Sequence, residues 1–587
     1  MLVVVFAILI HSTVACSTTG PARACRCATD KNFNVHINCG SLNITTLSSL
    51  LYPENTVTLN LERNLIQDIH PTDFTRLPKL KRLILSGNLL TSIDRWMLQG
   101  LGSVEVVVLT FNKITSLQNG TFVSLHNLRH LSMNNNNIKH IDSYAFDGLQ
   151  DLVKLDLSGN HLTSISKGIF PYLPRLDKLD LSGNRISVIS RGTFAELPSL
   201  KELNLRENAL TSIDASTFIS QRQLTKLHLS NNFLRSIEPG TFFFLNNLQQ
   251  LYLQQNKLNA VNIASFLGLL SLELLHLERN NIREIGHGAF SPLSSLHQLY
   301  LDENSITTID QCTFLGLDSI LRIGLSMNFI SSIEENSFID LEYLQFLTLR
   351  DNKITAISQD TFNGLRELSV LEISLNEIHS IEEGSFAHFE RLLNLELYGN
   401  KLKCTCTLVT NLWLLNAEGM IVDCLVNKSS KRLWAQSHQN ATSKVCYPLL
   451  PSSEDRSTWK QWSPESGLTN SICGRGAKFR TSSCCSCSST NSLVCTNNLP
   501  IESNIQCQLL QFMNDIQFPA VVPQYCALSE CAPVSKQELG KVTKLNRRIC
   551  SNSHSTKLMK LAIFGSVISG FALTPLMDYV CRIFLLG

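Results

Sequence analysis

The sequence lacks an excess charge of either sign. Fifty Lys and Arg stand against 48 Asp and Glu, a net charge of +2. A chain built to grip nucleic acid carries a basic face, and this balance leaves no such footprint. Catalytic patterns are missing too: there is no nucleophile elbow, no phosphate loop and no cluster at metal-ligand spacing. The expectation is therefore a non-enzyme with no cofactor and no metal site. Cysteine is absent from the longest part of the chain. Of nineteen, only Cys312 falls between Cys39 and Cys404. The others crowd both flanks, too many and too clustered for a reducing compartment, so disulfides are expected.

What fills the cysteine-poor stretch, Thr56 to Leu402, is one unit copied fifteen times. An asparagine recurs every 24 residues from Asn64 through Asn88, Asn160 and Asn256 to Asn400. Around each runs the pattern LxxLxLxxNxL, as in Leu152, Leu155, Leu157, Asn160 and Leu162. Ten residues after the asparagine comes a phenylalanine, from Phe74 to Phe386, with Leu98 the one substitute. LxL alternation makes a short strand with alternate side chains inward. The asparagine falls where the chain leaves that strand, and its amide can pair backbone groups that the turn frees. A single unit cannot bury its leucines, so each must stack on its neighbours. The phenylalanines are expected to line the far, convex side as a continuous spine.

A fixed period with this pattern resembles a leucine-rich repeat. The resemblance implies an α/β-type solenoid, a horseshoe of about 15 repeats with a parallel sheet on its concave face. Before it lie Cys16, Cys25, Cys27 and Cys39, and after it Cys404, Cys406, Cys424 and Cys446, with Trp413 and Trp434 between them. Spacing alone allows three pairings for each four, and a metal site is a rival reading of the first cluster. The clusters resemble the cysteine caps of extracellular leucine-rich repeat proteins. That resemblance implies Cys16–Cys27, Cys25–Cys39, Cys404–Cys424 and Cys406–Cys446. Lys401-Leu402 stands where that family's C-terminal cap usually has Pro-Trp.

The expected organisation is then a signal peptide over 1–15, an N-terminal cap over 16–55, repeats over 56–402 and a C-terminal cap over 403–447. Leu2 to Ile10 is the apolar core of the signal, and Thr13-Val14-Ala15 suits its cleavage, although no Lys or Arg precedes it. Sequons at Asn43, Asn119, Asn427 and Asn440 agree with secretion. A linker over 448–457 leads to a cysteine-rich module over 458–531. Its opening, Trp459-Lys-Gln-Trp462 with Arg475 and Arg480, resembles the front half of a thrombospondin type 1 module, which would make Trp459 a C-mannosylation site. The cysteine that family places soon after the second tryptophan is missing, and Cys485 to Cys531 follow a different spacing. A stalk over 532–560 precedes the apolar run Leu561 to Val580. That run is long enough to span a membrane, but Pro575, Asp578 and the lysines before it disfavour a single-pass helix. Behind the small residues Ser551-Asn552-Ser553 it resembles a glycosylphosphatidylinositol signal, with Ser551 the attachment site. Either reading places the chain at the cell surface, on the outer face of the plasma membrane.

Function must sit on residues that the repeat leaves free. The outward positions lie two and four residues before each asparagine. Many hold serine: Ser86, Ser158, Ser182, Ser230, Ser326 and Ser374. Four successive repeats break that habit. Four before the asparagine they carry His228, Tyr252, His276 and Tyr300; two before it, Ser230, Gln254, Glu278 and Asp302. Arg206, Glu207, Arg279 and Glu303 flank them. Strands about 4.8 Å apart gather these into one patch, and Tyr and Arg are enriched among binding hot spots. The bland reading is a hydrogen-bonded ladder that stabilises the sheet. The expected function is a surface recognition or adhesion protein binding an extracellular protein or glycan there. The alternative is a structural organiser of extracellular matrix. Cys312 reads as a small buried thiol, and the run Asn134 to Asn137 as a local quirk.

Overall fold

The computed structural model describes residues 25–47 and 52–403 without a break. It also describes Leu408, Leu412, Leu415, the strands Gly419–Val426 and Ser429–Trp434, and the short antiparallel pair Ser486–Cys487 and Leu493–Val494. The chain divides into two compact units, 1–479 and 480–587, and that short pair is what is described of the second. Among the described residues no helix is long and apolar enough to cross a membrane. Cys16, Asn427, Asn440, Trp459, Ser551, the C-terminal cap pairings and the run Leu561 to Val580 lie outside the described residues.

Each repeat contributes one strand of three residues, six to four before its asparagine in most turns, as in Lys154–Asp156, Lys178–Asp180 and Glu202–Asn204. Every strand pairs parallel with the next at an offset of 24 residues: Leu155 opposes Leu179, which opposes Leu203. That offset equals the sequence period, so equivalent side chains stand in columns. The middle residue of each strand points inward and is sealed, as Leu83, Leu155 and Leu251 show.

The asparagine column holds successive turns together. Asn160 accepts from Ile138 N at 3.0 Å in the turn before, and donates to Met133 O at 3.1 Å and to Leu157 O at 3.0 Å. The same set recurs at Asn256, through Leu234 N, Leu229 O and Leu253 O. One amide thus satisfies buried backbone groups of two turns, which no apolar residue could do. The residue just before it always has positive φ, from 53° at Arg63 to 73° at Gly399. Only Gly87, Gly159, Gly183 and Gly399 are glycine in that column; the rest include Phe111, Met327 and Leu375 but no β-branched residue, the type this conformation tolerates least.

On the convex side the phenylalanines stack as expected. Phe122 and Phe146 have ring centroids 5.8 Å apart, Phe146 and Phe170 6.0 Å, and Phe170 and Phe194 6.2 Å. Between residues 52 and 403 the convex side is built from turns, two-residue parallel strands such as Ser116–Leu117 with His140–Ile141, and one 3₁₀ turn at Ile263–Ser265. A 24-residue period leaves too little chain there for an α-helix, so the α/β-type description reduces to a nearly all-β solenoid. Cys312 is buried.

Both ends of the sheet are closed by antiparallel pairing. Arg26–Thr29 pairs with Val35–Asn38, which then runs parallel with Thr56–Asn60. Cys25 and Cys39, both buried, form a disulfide beneath this hairpin, and Cys27 is disulfide-bonded as well. At the far end Asn394–Glu396 pairs parallel with Gly419–Val426, which pairs antiparallel with Ser429–Trp434. Each closure covers the exposed edge that a stacked repeat would otherwise present.

Candidate functional site

His228, Tyr252, His276 and Tyr300 occupy directly opposed positions on four successive strands. Parallel strands in this register leave less than 5 Å between equivalent side chains, and flat rings fit that gap only face to face. The centroid separations are 4.4, 5.0 and 4.7 Å, with interplanar angles of 7°, 12° and 10°. The four rings form one continuous stack on the concave face.

Polar neighbours hold three of the four plates. Tyr252 donates its hydroxyl to Gln250 Oε1 at 3.0 Å, and Tyr300 to Gln298 Oε1 at 2.9 Å. His276 Nδ1 lies 2.8 Å from Glu278 Oε1. Burial holds the His228 imidazole below its ordinary 6.5, against the opposing pull of Glu202 and Asp180, so the ring is neutral at pH 7. Burial likewise pushes the Tyr252 phenol up, with Glu202 adding to the shift. Each of these bonds joins residues two apart in one repeat, so they hold the rings in place without forming a ladder between strands.

The adjoining column is acidic. Asp302 accepts from Ser326 N at 2.8 Å, and burial together with the nearby Glu278 charge raises its pKa, the Ser326 hydrogen bonds working the other way. Glu278 Oε2 and Gln254 Oε1 are buried without a hydrogen-bond partner. Arg279 spans to the next repeat and pairs with Glu303 at 2.8 Å. Arg206 stands apart: it pairs with Glu207 beside it at 2.8 Å. Ser230 is 3% exposed and Ser374 fully buried, so those serines on the concave side are covered rather than displayed.

The stack is bounded at both ends. Upstream, Asn204 opposes His228 and donates to Asp180 Oδ2 at 3.0 Å. Downstream, Tyr300 opposes Gly324, which has no side chain to continue the series. A second cluster follows in the last four repeats. The Arg322 guanidinium lies 4.2 Å from the Phe346 ring centroid, and that of Arg350 lies 5.8 Å from Tyr398. Between them Glu372 opposes Glu396; burial and that like charge push Glu372 up. Reading each column separately across all fifteen repeats would have revealed these residues, since Phe346 and Tyr398 are as far from the repeat's habit as Tyr252.

Of the sequons, Asn43 and Asn119 are exposed. Among the described residues the patch sets no nucleophile beside a base; hydroxyl–imidazole pairs occur away from it, at Thr58 with His36 and Thr72 with His70.

The family described as Leucine rich repeat matches in seven overlapping segments, 54–113, 102–162, 150–210, 198–258, 251–306, 294–354 and 342–402. No curated protein matches the chain. Among solved structures, the LRR protein LIC12759 of Leptospira interrogans is 26% identical with a TM-score of 0.50, over 62% of this chain and 90% of that one. A Drosophila Toll–Spatzle complex is 24% identical with a TM-score of 0.52, over 60% of this chain and 49% of that one. The latter likeness is one of fold alone.

Proposed function

The chain belongs to the leucine-rich repeat family, and from that premise we propose that it is a cell-surface recognition protein. It binds an extracellular protein or glycan on the concave sheet, over the patch of Arg206, His228, Tyr252, Gln254, His276, Glu278, Tyr300 and Asp302. One observation carries the reading: four rings that the repeat does not require stand stacked and pre-positioned on the concave face. A rigid aromatic surface loses little conformational entropy when a partner covers it, which is the economy of a binding hot spot. Fifteen strands at about 4.8 Å give an arc on the order of 70 Å, ample for a standard interface. On this reading the C-terminal apolar run is a signal removed when the peptide bond after Ser551 is exchanged for a lipid anchor, and that lipid ties the chain to the outer membrane face. A phosphatidylinositol-specific phospholipase would then release it from cells, and retention would reject the lipid.

The experiment is a screen of the full chain against secreted proteins, surface proteins and glycans, run beside the variant Tyr252→Ala, His276→Ala, Tyr300→Ala. A partner of the patch should lose at least about a hundredfold in affinity for the folded triple variant, since each hot-spot side chain is worth more than about 1 kcal/mol. Equal binding by parent and variant would move the contact off this surface.

A further inference from the structure

The ring stack stops at Tyr300, with no ring on the next strand. Tyr300 is backed by His276 on one side, and on the other the register places Gly324. The next plate position is therefore without a ring. The Asp302 side chain leans into it: a β-carbon on residue 324 would collide with Asp302 Oδ2. Gly324 is thus needed for this arrangement, because any larger residue would push the carboxylate away.

Asp302 has no cation beside it among the described residues. The side chains around it are otherwise engaged: Arg279 with Glu303, His276 with Glu278, and Arg322 on the Phe346 ring. Ser326 N donates to the carboxylate at 2.8 Å, and the Ser326 side chain hydrogen-bonds it as well. Two further acceptors of the same column, Glu278 Oε2 and Gln254 Oε1, lack a donor. No salt bridge among the described residues reaches Asp302, so its carboxylate has no cation partner next to the last ring of the stack. The Asp302 carboxylate is hydrogen-bonded at Ser326 but has no ion-pair partner among the described residues, and its burial pushes its pKa up.

We propose that the Gly324 end of the stack receives an arginine guanidinium carried by a partner protein, which lies on the Gly324 side of Tyr300 and pairs with Asp302. A guanidinium suits both features: it is flat enough to act as a fifth plate, and its fork of donors matches a carboxylate. An ammonium shares the charge and lacks the flat stacking surface. This inference rests on the concave-face reading and names the chemistry that the patch selects.

The test uses the full chain and two capped decapeptides, alternating Gly-Arg and alternating Gly-citrulline, with affinity measured by calorimetry. Citrulline keeps the shape of arginine and removes its charge. The arginine peptide should bind at least about tenfold more tightly, from an ion pair and a cation–π contact together. Asp302→Asn and Tyr300→Leu should each weaken it about fivefold, while Glu342→Gln, outside the concave strands, should leave it unchanged. Melting curves establish that each variant is folded. Equal binding of the two peptides, or indifference to both Asp302→Asn and Tyr300→Leu, overturns the proposal. Should a partner be lost in the triple alanine variant while the peptides fail, the patch binds through other chemistry and this inference alone falls. Should the peptides behave as expected while every partner ignores the triple variant, the concave-face reading falls and the partner-borne arginine falls with it.

Discussion

At the scale of single residues, the asparagine column carries the most consequence per atom. Asn256 touches three backbone groups in two turns. Asn256→Ala leaves them buried and unpaired, and chemical denaturation should show a loss of roughly 2–4 kcal/mol. Met327 occupies the positive-φ column at +58°. Met327→Gly relieves that conformation and should raise stability by about 1 kcal/mol, measurable in the same experiment. Asp302 supplies a pH signature. Its pKa is higher in the folded chain than the ordinary 3.8, so the folded state holds the proton where the unfolded state has lost it. Stability from this group therefore rises as pH falls through the raised value toward 3.8. Asp302→Asn should melt above the parent at pH 7, and the gap should close on acidification. His228 works in the opposite sense. Its pKa is depressed, so its contribution is whole above 6.5 and declines as pH falls below that.

At the scale of elements, the unit is the 24-residue turn, and its neighbours see only its two faces. Because register and period coincide, removal of residues 137–160 takes out one whole turn and returns every column to alignment. That deletion should fold cooperatively with modestly lower stability, whereas removal of twelve residues should abolish the cooperative melt. Circular dichroism during thermal unfolding distinguishes the two. The ring stack is an element of the same kind, spread over four turns. Its existence was legible from Tyr252, His276 and Tyr300 recurring at one column position. Its end was not: Gly324 looks like an ordinary small residue until the Asp302 carboxylate is found beside it. Arg206 pairs with Glu207 beside it, a contact that the column pattern does not specify.

At the scale of the whole molecule, stability is a chain of nearest-neighbour interfaces with two closed ends. The N-terminal closure depends on Cys25–Cys39, which joins residues 14 apart in sequence. Cys39→Ser should cost about 2–4 kcal/mol and expose the first turn of the solenoid. The loss should be seen first as faster amide exchange in Thr56–Asn60, the strand on which the cap hairpin pairs.

The period, the inward leucines, the asparagine ladder and the phenylalanine spine were all determined by the sequence alone. They depend on residue type at a fixed spacing, and a repeat shows the same choice fifteen times over. The tertiary structure decided what spacing cannot express. Positive φ before every asparagine is a property of the backbone path, reached by Phe111 and Met327 as well as by glycine. Likewise, which charge meets which partner depends on rotamers that strand spacing permits but does not select. Arg279 bridges to Glu303, Arg322 turns onto Phe346, and Asp302 is left without a cation beside Tyr300, the last ring of the stack.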